Sequence, residues 1–253
     1  MTERFVALGA SNLARMMLPL LDAMRAAAAG PIEAHAALGR GRSFGIPSRM
    51  LGRGLGGIDG CGLWPTLAAR NDGRSGTALL MDVGNDLLYG VDVERILGWV
   101  DAALRRLVTH AERVVVVGLP ITSLRHLDAW RFAFVTRVLV PICRLTLASA
   151  LDGAARLDEG LRHLAREHGA TFHEPRPEWY GFDPIHVRTK FWRTAANEWL
   201  GAPPTMAGPR IDGMVERVKF LFAAPVERTL FGVRRVCAQP ARRWHDGTTL
   251  SLW

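Results

Sequence analysis

Residues 113–120, RVVVVGLP, contain four consecutive valines followed by a glycine. An uninterrupted β-branched run of this kind is typical of a strand that is buried on both faces of a parallel sheet. Other apolar runs predict four further strands, at residues 4–9, 32–39, 77–84 and 170–173. Because helical patterns alternate with these strands, we predict an α/β fold in which helices cover both faces of a five-stranded parallel sheet.

Helices are predicted in the segments 12–29 and 93–111, over about 128–168, and over about 188–200. Pro19 lies inside the first segment, and it should kink that helix or shift its start because proline lacks an amide N–H. The glycine-rich residues 39–62 interrupt any long element, so we expect a loop or at most one short helix there.

The composition is that of an ordinary globular protein, with 49% hydrophobic and 22% charged residues among 253. The formal net charge of +8 is compatible with an anionic partner. However, Lys190 and Lys219 are the only lysines, and the sequence contains neither zinc-finger spacing nor an aromatic RNA-binding motif. We therefore expect no nucleic-acid partner.

Cysteine spacing and the N-terminal residues bear on the compartment. Cys61, Cys143 and Cys237 are far apart and lack CxxC spacing, which predicts free thiols in a reducing environment. The first residues, MTERF, lead directly into a predicted strand and leave no room for the apolar region of a signal peptide. No apolar run approaches the length of about 18 residues that a membrane-spanning helix needs. We expect a cytoplasmic protein.

Polar residues follow several of the predicted strands. Ser11 follows the first strand, the 41–45 loop follows the second, Asn85 the third, and Asp183 and His186 the fifth. Ligands of parallel sheets bind beyond the carboxyl ends of the strands, so we expect these residues to meet at one edge. Ser11 also stands at the start of a helix, where a serine side chain commonly caps the helix N-terminus.

These residue types supply the parts of a nucleophilic hydrolase. A serine hydroxyl needs a base that removes its proton, and His186 can act as that base for Ser11. Asp183, three residues before His186, can hold the imidazole in the required tautomer and stabilise its cation. The backbone N–H of Ser11, a glycine N–H and the side-chain amide of Asn85 can stabilise the oxyanion.

Three short blocks occur in the order GASN at 9–12, GND at 84–86 and DPIH at 183–186. In this order they resemble the blocks of the SGNH (GDSL-like) hydrolase superfamily, over about residues 4–200. The resemblance implies a flavodoxin-like three-layer α/β/α sandwich with a five-stranded parallel sheet. It further implies the roles of the site residues: nucleophile and oxyanion donor for Ser11, oxyanion donor for Asn85, base for His186 and orienting carboxylate for Asp183.

The chain departs from this family pattern at one position and matches it only loosely at another. The first block of the family usually reads Gly-Asp-Ser, whereas this chain has Ala10 in the middle position. That change removes a carboxylate that helps to set the serine loop. The second block is a loose glycine motif, which Gly45 fits best because RSFG follows the second strand; Gly41 is the alternative.

A competing motif surrounds Ser43. GRSFG at 41–45 matches the G-x-S-x-G nucleophile elbow of α/β-hydrolases. That elbow follows a strong central strand and leads into a helix. Here it follows a weaker second strand, and Pro47 interrupts the helix that should come next, so we do not take Ser43 as the nucleophile.

Neither a metal nor a cofactor is expected. Consecutive members of the set His163, His168 and His173 are five residues apart, which separates them by about 140° around a helix, unlike the ligands of zinc proteases. Asp82 and Asp86 flank the GND turn without a third ligand nearby. We interpret Asp82 as a strand residue and Asp86 as a turn or helix cap.

Residues 1–201 are predicted to form the catalytic domain, and residues 202–253 a C-terminal extension. The extension begins with a linker rich in proline and glycine, GAPPTMAGPR at 201–210. An apolar run with several arginines follows. It fits an element that packs on the core or at a homodimer interface, or a peripheral contact with an anionic membrane surface. Pro225 limits any continuous helix and counts against the membrane alternative.

The predicted function is hydrolysis of ester or thioester bonds in a small-molecule acyl ester, through an acyl-enzyme on Ser11. An acyltransferase that uses the same site and a non-catalytic binding protein of the same fold are the alternatives. Ala10 favours the binding protein, whereas the complete set of nucleophile, base, carboxylate and amide favours the enzyme.

Overall fold

The computed structural model describes residues 2–50, 52–70, 73–139, 143–203 and 210–253. Its strands are β1 (Glu3–Leu8), β2 (Ile32–Ala37), β3 (Ser48–Met50), β4 (Arg53–Leu55), β5 (Thr77–Leu80), β6 (Arg113–Val117), β7 (Thr171–His173), β8 (Glu227–Leu230), β9 (Val233–Val236), β10 (Arg242–Arg243) and β11 (Thr249–Leu252). Its α-helices are α1 (Ser11–Ala27), α2 (Leu63–Ala68), α3 (Asn85–Leu88), α4 (Val93–His110), α5 (Ile121–Leu124), α6 (Ala129–Leu139), α7 (Leu147–Glu167), α8 (Trp192–Leu200) and α9 (Met214–Leu221). Short 3₁₀ turns lie at Pro177–Trp179 and Thr189–Phe191.

The central sheet has the strand order β10-β11-β2-β1-β5-β6-β7. The five predicted strands, from β2 to β7 in this order, are mutually parallel. The expected number of five is nevertheless wrong, because the sheet has seven strands. β11 pairs in parallel with β2, and β10 pairs antiparallel with β11. The two additional strands therefore cover the edge of β2, which would otherwise leave backbone groups unpaired.

Helices cover both faces of this sheet. Side chains alternate along β1, so that Phe5 belongs to one apolar core and Val6 to the other. The first core lies against α1 and α8, and the second against α4 and α7. The three-layer α/β/α sandwich is therefore confirmed. The carboxyl ends of β1, β2, β5 and β6 point to the same edge of the sheet, as parallel pairing requires.

The glycine-rich region folds differently from the prediction. Residues 39–62 were expected to contain a loop or one short helix, but they contain β3 and β4. These strands join β8 and β9 in a second, antiparallel sheet with the order β3-β4-β8-β9. Each of the two strands has only three residues, and β4 pairs with a strand more than 170 residues later. No local pattern reveals such a pairing.

The segment after residue 201 packs on the rest of the chain. Ile211, Leu250 and Leu252 are buried in the core that α1 and α8 also line. The carboxylate of Asp22 in α1 accepts hydrogen bonds from the amides of Ile211 and Asp212, at 2.7 and 3.0 Å. Residues 204–209 of the predicted linker lie outside the described residues. No helix in the described ranges combines the length and the hydropathy needed to cross a bilayer.

Candidate active site

Ser11 is the first residue of α1, directly after the carboxyl end of β1. Its Oγ lies 2.9 Å from Nε2 of His186. The N-cap position of α1 is occupied by Ala10, so Ser11 is not the helix cap. The side chain of Ser11 is therefore paired with a base, which is the arrangement that activates a serine nucleophile.

His186 is held by Asp183 in the loop after β7. Nδ1 of His186 lies 2.6 Å from Oδ2 of Asp183. The other oxygen, Oδ1, accepts the amides of Ile185 and His186 at 3.2 and 3.3 Å. A carboxylate beside Nδ1 favours the tautomer with its proton there, which leaves Nε2 free to accept the serine proton.

The charge state of Asp183 follows from two opposing effects. Partial burial by itself would raise the pKa of Asp183. The hydrogen bond and the charge of His186 outweigh that effect, so the pKa of Asp183 lies below its usual range. The carboxylate is consequently ionised at neutral pH. His186, with 11% of its side chain exposed, is much less accessible than Asp183, with 51%.

Asn85 opens α3 after the carboxyl end of β5. Its Nδ2 donates to the carbonyl of Arg42 at 3.2 Å, which fixes the orientation of the amide. An amide nitrogen carries two N–H groups, so one remains for a ligand. Asn85 lines the same cavity as Ser11 and His186. The structure thus brings four of the predicted site residues, Ser11, Asn85, Asp183 and His186, around one space.

The fifth predicted residue, Gly45, does not line this cavity, and neither does the alternative, Gly41. Its amide donates to Oγ of Ser43 at 3.1 Å. A Cβ atom at Gly45 would lie 2.0 Å from the ring of Trp99 in α4, so glycine is needed there for packing. The alternative, Gly41, has a left-handed φ of 67°, and its amide has no hydrogen-bond acceptor among the described residues. Its carbonyl accepts the hydroxyl of Tyr89 at 2.5 Å.

The side chain of Arg42 anchors the turn that contains Gly41. Arg42 is only 2% exposed. Nε donates to the carbonyl of Gly56 at 3.0 Å, and Nη1 donates to the carbonyls of Leu38 and Trp253. The same residue presents its own carbonyl to Asn85. The turn after β2 is therefore tied both to the small sheet and to the end of β11.

A cavity of about 480 Å³ opens beside Ser11 and His186. It lies between the segments that follow β5 and β6 and the helices α5 to α7. Its walls are mostly apolar and include Leu88, Leu119, Leu124, Phe132 and Leu151. A space of this size and character suits an apolar group of a small molecule.

Several solved structures with a similar architecture are esterases. An aryl esterase of M. smegmatis matches with a TM-score of 0.52 and 12% identity, over 79% of this chain and 100% of that one. A carbohydrate acetylesterase family member from Sinorhizobium meliloti matches at 0.50 and 13%, over 79% and 100%. The esterase EstA from Pseudoalteromonas sp. matches at 0.50 and 12%, over 79% and 97%. The chain has the SGNH-hydrolase fold. No protein-family model and no curated protein matches the sequence.

Asp82 supplies a carboxylate to the serine loop from the segment that follows β5. Oδ2 of Asp82 accepts the amides of Ala10 and Leu13, at 3.0 and 2.9 Å, and Oδ1 accepts Nδ2 of Asn12 at 2.8 Å. The carboxylate missing at Ala10 is thus supplied from the end of β5. Asp82 has a φ of 61°, an uncommon conformation for a residue with a Cβ atom. The interpretation of Asp82 as an ordinary strand residue is wrong, since β5 ends at Leu80.

Asn12 connects α1, which begins with Ser11, to the loop that carries His186. Besides Asp82, its Nδ2 binds the carbonyl of Ile185 at 2.9 Å, and its Oδ1 accepts the amide of Val187 at 3.0 Å. These contacts flank His186 on both sides. Asn12 therefore fixes the distance between Ser11 and His186.

Ser43 is buried and does not line the cavity beside Ser11. Its hydroxyl donates to the carboxylate of Asp86 and accepts the amides of Gly45 and Ile46. Asp86 is fully buried, and burial raises its pKa although the Phe44 amide and Ser43 donate to it. Ser43 therefore shapes the loop and has no access to a substrate. Within the described ranges, no group of three or more His, Cys, Asp or Glu side chains is placed to hold a metal ion.

Asp82→Ala is expected to weaken both catalysis and stability. The change leaves two backbone amides and one side-chain amide without their acceptor, at a cost of about 1–3 kcal/mol for each that stays buried. Because the serine loop then loses its anchor, we expect kcat for an aryl ester to fall roughly 100-fold. Steady-state kinetics and thermal unfolding measure the two effects. Asp92→Ala, at an exposed carboxylate before α4, is the matched control, and equal behaviour of the two variants would contradict this role.

Proposed function

We propose that this protein hydrolyses ester or thioester bonds through an acyl-enzyme on Ser11. The observation that carries the proposal is the continuous chain of contacts from Ser11 Oγ to His186 and from His186 to the Asp183 carboxylate, at 2.9 and 2.6 Å. This chain ends at an apolar cavity that can receive an acyl group. The esterases that share the fold support the same class of reaction.

In the first half-reaction, Oγ of Ser11 attacks the acyl carbonyl while Nε2 of His186 takes the hydroxyl proton. The tetrahedral intermediate carries its negative charge on the former carbonyl oxygen. When it collapses, His186 returns the proton to the departing alkoxide or thiolate, and the acyl group stays on Ser11. Water then attacks the acyl-enzyme, with its proton passing to His186, and the second collapse releases the acid and restores Ser11.

Three donors are proposed to stabilise the oxyanion: the amides of Ser11 and Gly41 and the free N–H of Asn85. Donors that are already oriented contribute more than mobile ones, because they need no reorganisation during the reaction. We choose Gly41 over Gly45 because the Gly45 amide is occupied by Ser43, whereas the Gly41 amide has no acceptor in the described part of the chain. The carbonyl of Arg42 orients Asn85 beside this turn.

The size and lining of the cavity bear on the acyl group of the proposed substrate. Its volume of about 480 Å³ and its leucine-rich walls favour an acyl group longer or bulkier than acetyl. Burial of such a group releases water from apolar surface, which contributes about 25 cal/mol per Å². We therefore propose small-molecule esters or thioesters of medium-length acyl groups as substrates.

Two alternative functions remain to be weighed, a non-catalytic binding protein and an acyltransferase. The sequence argument for a non-catalytic protein rested on Ala10, and Asp82 supplies a carboxylate to the same loop. Hydrolysis is therefore favoured over simple binding. An acyltransferase would use the same acyl-enzyme with an alcohol or amine in place of water, and we keep it as the second candidate because an apolar cavity restricts the access of water.

The extension carries large exposed apolar side chains, notably Met214, Phe222 and Phe231. A contact of this segment with a membrane surface or with a second copy of the chain stays a prediction. So does a cytoplasmic location.

Labelling with a fluorophosphonate tests the proposed function. The reagent phosphonylates only activated serines, so one adduct is expected in the intact mass, and fragmentation should place it on Ser11. Ser11→Ala should remain unlabelled, and His186→Ala should react far more slowly because its serine keeps the proton. An adduct on Ser43, or no adduct on a folded protein, would refute the proposal.

A further inference from the structure

One face of the small sheet lies against the turn that follows β2. Leu55 of β4 is buried on this face, and a Cβ atom at Gly39 would lie 2.2 Å from its side chain. Arg53 stands two residues before Leu55 and therefore shares its face. Because β4 pairs with β8 in the register that places Arg53 opposite Leu230, Arg228 lies on the same face, diagonal to Arg53.

Arg53 and Arg228 share this face, and Arg40 stands in the adjoining turn, next to Gly39, which packs against Leu55. Arg53 and Arg228 are half-buried, and Nε of Arg228 is buried without a hydrogen-bond partner among the described residues. Burial lowers the pKa of Arg53, and the charges of Arg228 and Arg40 lower it further. None of the three forms an ion pair with a carboxylate in the described ranges. Their positive charge is therefore uncompensated.

The opposite face of the same sheet is different. Arg234 of β9 lies on it, because Arg234 pairs with Thr229, and it forms an ion pair with Glu227 at 2.6 Å. Arg49 of β3 also lies on that face, opposite Gly54. The absence of a carboxylate partner is thus particular to the face that carries Arg53 and Arg228.

The arginine cluster and the apolar cavity lie on opposite sides of Ser11. Arg40 directly precedes Gly41 in the turn after β2, and β2 is the neighbour of β1 in the sheet. The cavity is lined by the segments after β5 and β6, on the other side of β1. A substrate with its acyl group in the cavity and its carbonyl at Ser11 can therefore extend its alcohol or thiol part across β1, towards β2 and the turn that contains Arg40.

We propose that Arg40, Arg53 and Arg228 bind a phosphate group on the alcohol or thiol part of the substrate. The inference rests on the proposed acyl transfer to Ser11 and narrows its substrate class to apolar acyl esters or thioesters with a phosphorylated leaving group. Guanidinium groups are permanently charged, and their planar donor pairs match the oxygens of a phosphate. Hydrolysis releases the free acid and the phosphorylated alcohol or thiol, and the phosphate itself does not react.

Two substrates that differ only in phosphate test this proposal: octanoyl glycerol and octanoyl glycerol 3-phosphate, both dissolved as monomers. We expect the wild type to have a kcat/KM roughly 10- to 100-fold higher for the phosphorylated ester, mainly through KM. The preference should weaken as salt is added. In the double variant Arg53→Gln/Arg228→Gln, the ratio of kcat/KM for the phosphorylated ester to that for the unphosphorylated ester should approach one. The control Arg49→Gln should have the same ratio as the wild type.

Binding of inorganic phosphate provides a measurement that does not depend on catalysis. Phosphate should raise the Tm of the wild type, of Ser11→Ala and of Arg49→Gln, but not that of Arg53→Gln/Arg228→Gln. If the double variant does not fold, Arg40→Gln, at an exposed turn position, replaces it in both experiments.

The outcomes separate this inference from the proposed function. Equal kcat/KM values for the two esters in the wild type, or an unchanged preference in the arginine variants, overturn the inference while the hydrolase stands. Binding to phosphatidylglycerol vesicles that depends on the same arginines, without a preference between the soluble esters, overturns it in favour of a membrane contact. A protein inert towards both esters, yet stabilised by phosphate through these arginines, refutes the hydrolase and retains the anion site.

Discussion

Ser11→Ala and His186→Ala should each lower kcat for a short-chain aryl ester by a factor on the order of 10⁴ to 10⁶. Ser11→Ala removes the only atom that can carry the acyl group in the proposed reaction. His186→Ala leaves the Ser11 hydroxyl without an acceptor for its proton. Because the two residues act as one unit, the double variant should be scarcely worse than either single variant.

Matched controls separate this effect from general damage to the fold. Ser75→Ala alters a serine before β5, at the opposite end of the strands, and His163→Ala alters an exposed histidine of α7. Both controls should keep the activity of the wild type. Thermal unfolding should show all variants folded, and substantial activity in Ser11→Ala would remove the proposed nucleophile.

Truncation after Gly201 should prevent stable folding. The shortened chain lacks Ile211, Leu250 and Leu252, whose burial contributes about 1.5–3 kcal/mol each. It also exposes the edge of β2 and leaves the buried Asp22 carboxylate without its two amide donors. Total stabilities of domains are only about 5–15 kcal/mol, so this loss is comparable to the whole. Aggregation or a strongly lowered Tm is the expected result.

A single substitution tests the packing of β11 without removing the whole C-terminal segment. Leu250→Asp places a charge in the core beside β2, whereas Leu221→Asp changes a leucine of α9 that is 69% exposed. We expect the first variant to lose several kcal/mol of unfolding free energy and the second to lose little. Chemical denaturation measures both. A stable Leu250→Asp protein, or a stable and active truncation, would show that β11 is dispensable.

β1, β5 and β6 were predictable because each is an apolar run that is followed by a helix. RVVVV at β6 is the plainest case. β11 was not predictable, since TLSL alternates polar and apolar residues and pairs with a strand more than 200 residues earlier. The additional strand appears only when the whole chain is folded, and the pattern of four residues contains no information about that partner.

The site residues likewise fall into those that the sequence could predict and those that it could not. Asp183 and His186 share one loop, and Ser11 and Asn85 each follow a strand. Their positions relative to the predicted strands were therefore enough to predict that the four residues lie close together. The role of Asp82 depends on a left-handed backbone after the end of β5 and on its closeness to Ala10 in the segment after β1. Likewise, the choice between Gly41 and Gly45 depends on which amide Ser43 occupies, which only the folded loop shows.

The contacts of Arg42 have a consequence for biosynthesis. Its guanidinium binds the carbonyl of Trp253, 211 residues later, while its own carbonyl orients Asn85. On the ribosome, Ser11 and the turn after β2 emerge long before β11 has been made. A nascent chain that has not reached Trp253 therefore lacks one contact that anchors Arg42 and, through its carbonyl, the Asn85 amide. The proposed esterase activity should consequently require that β11 has been synthesised.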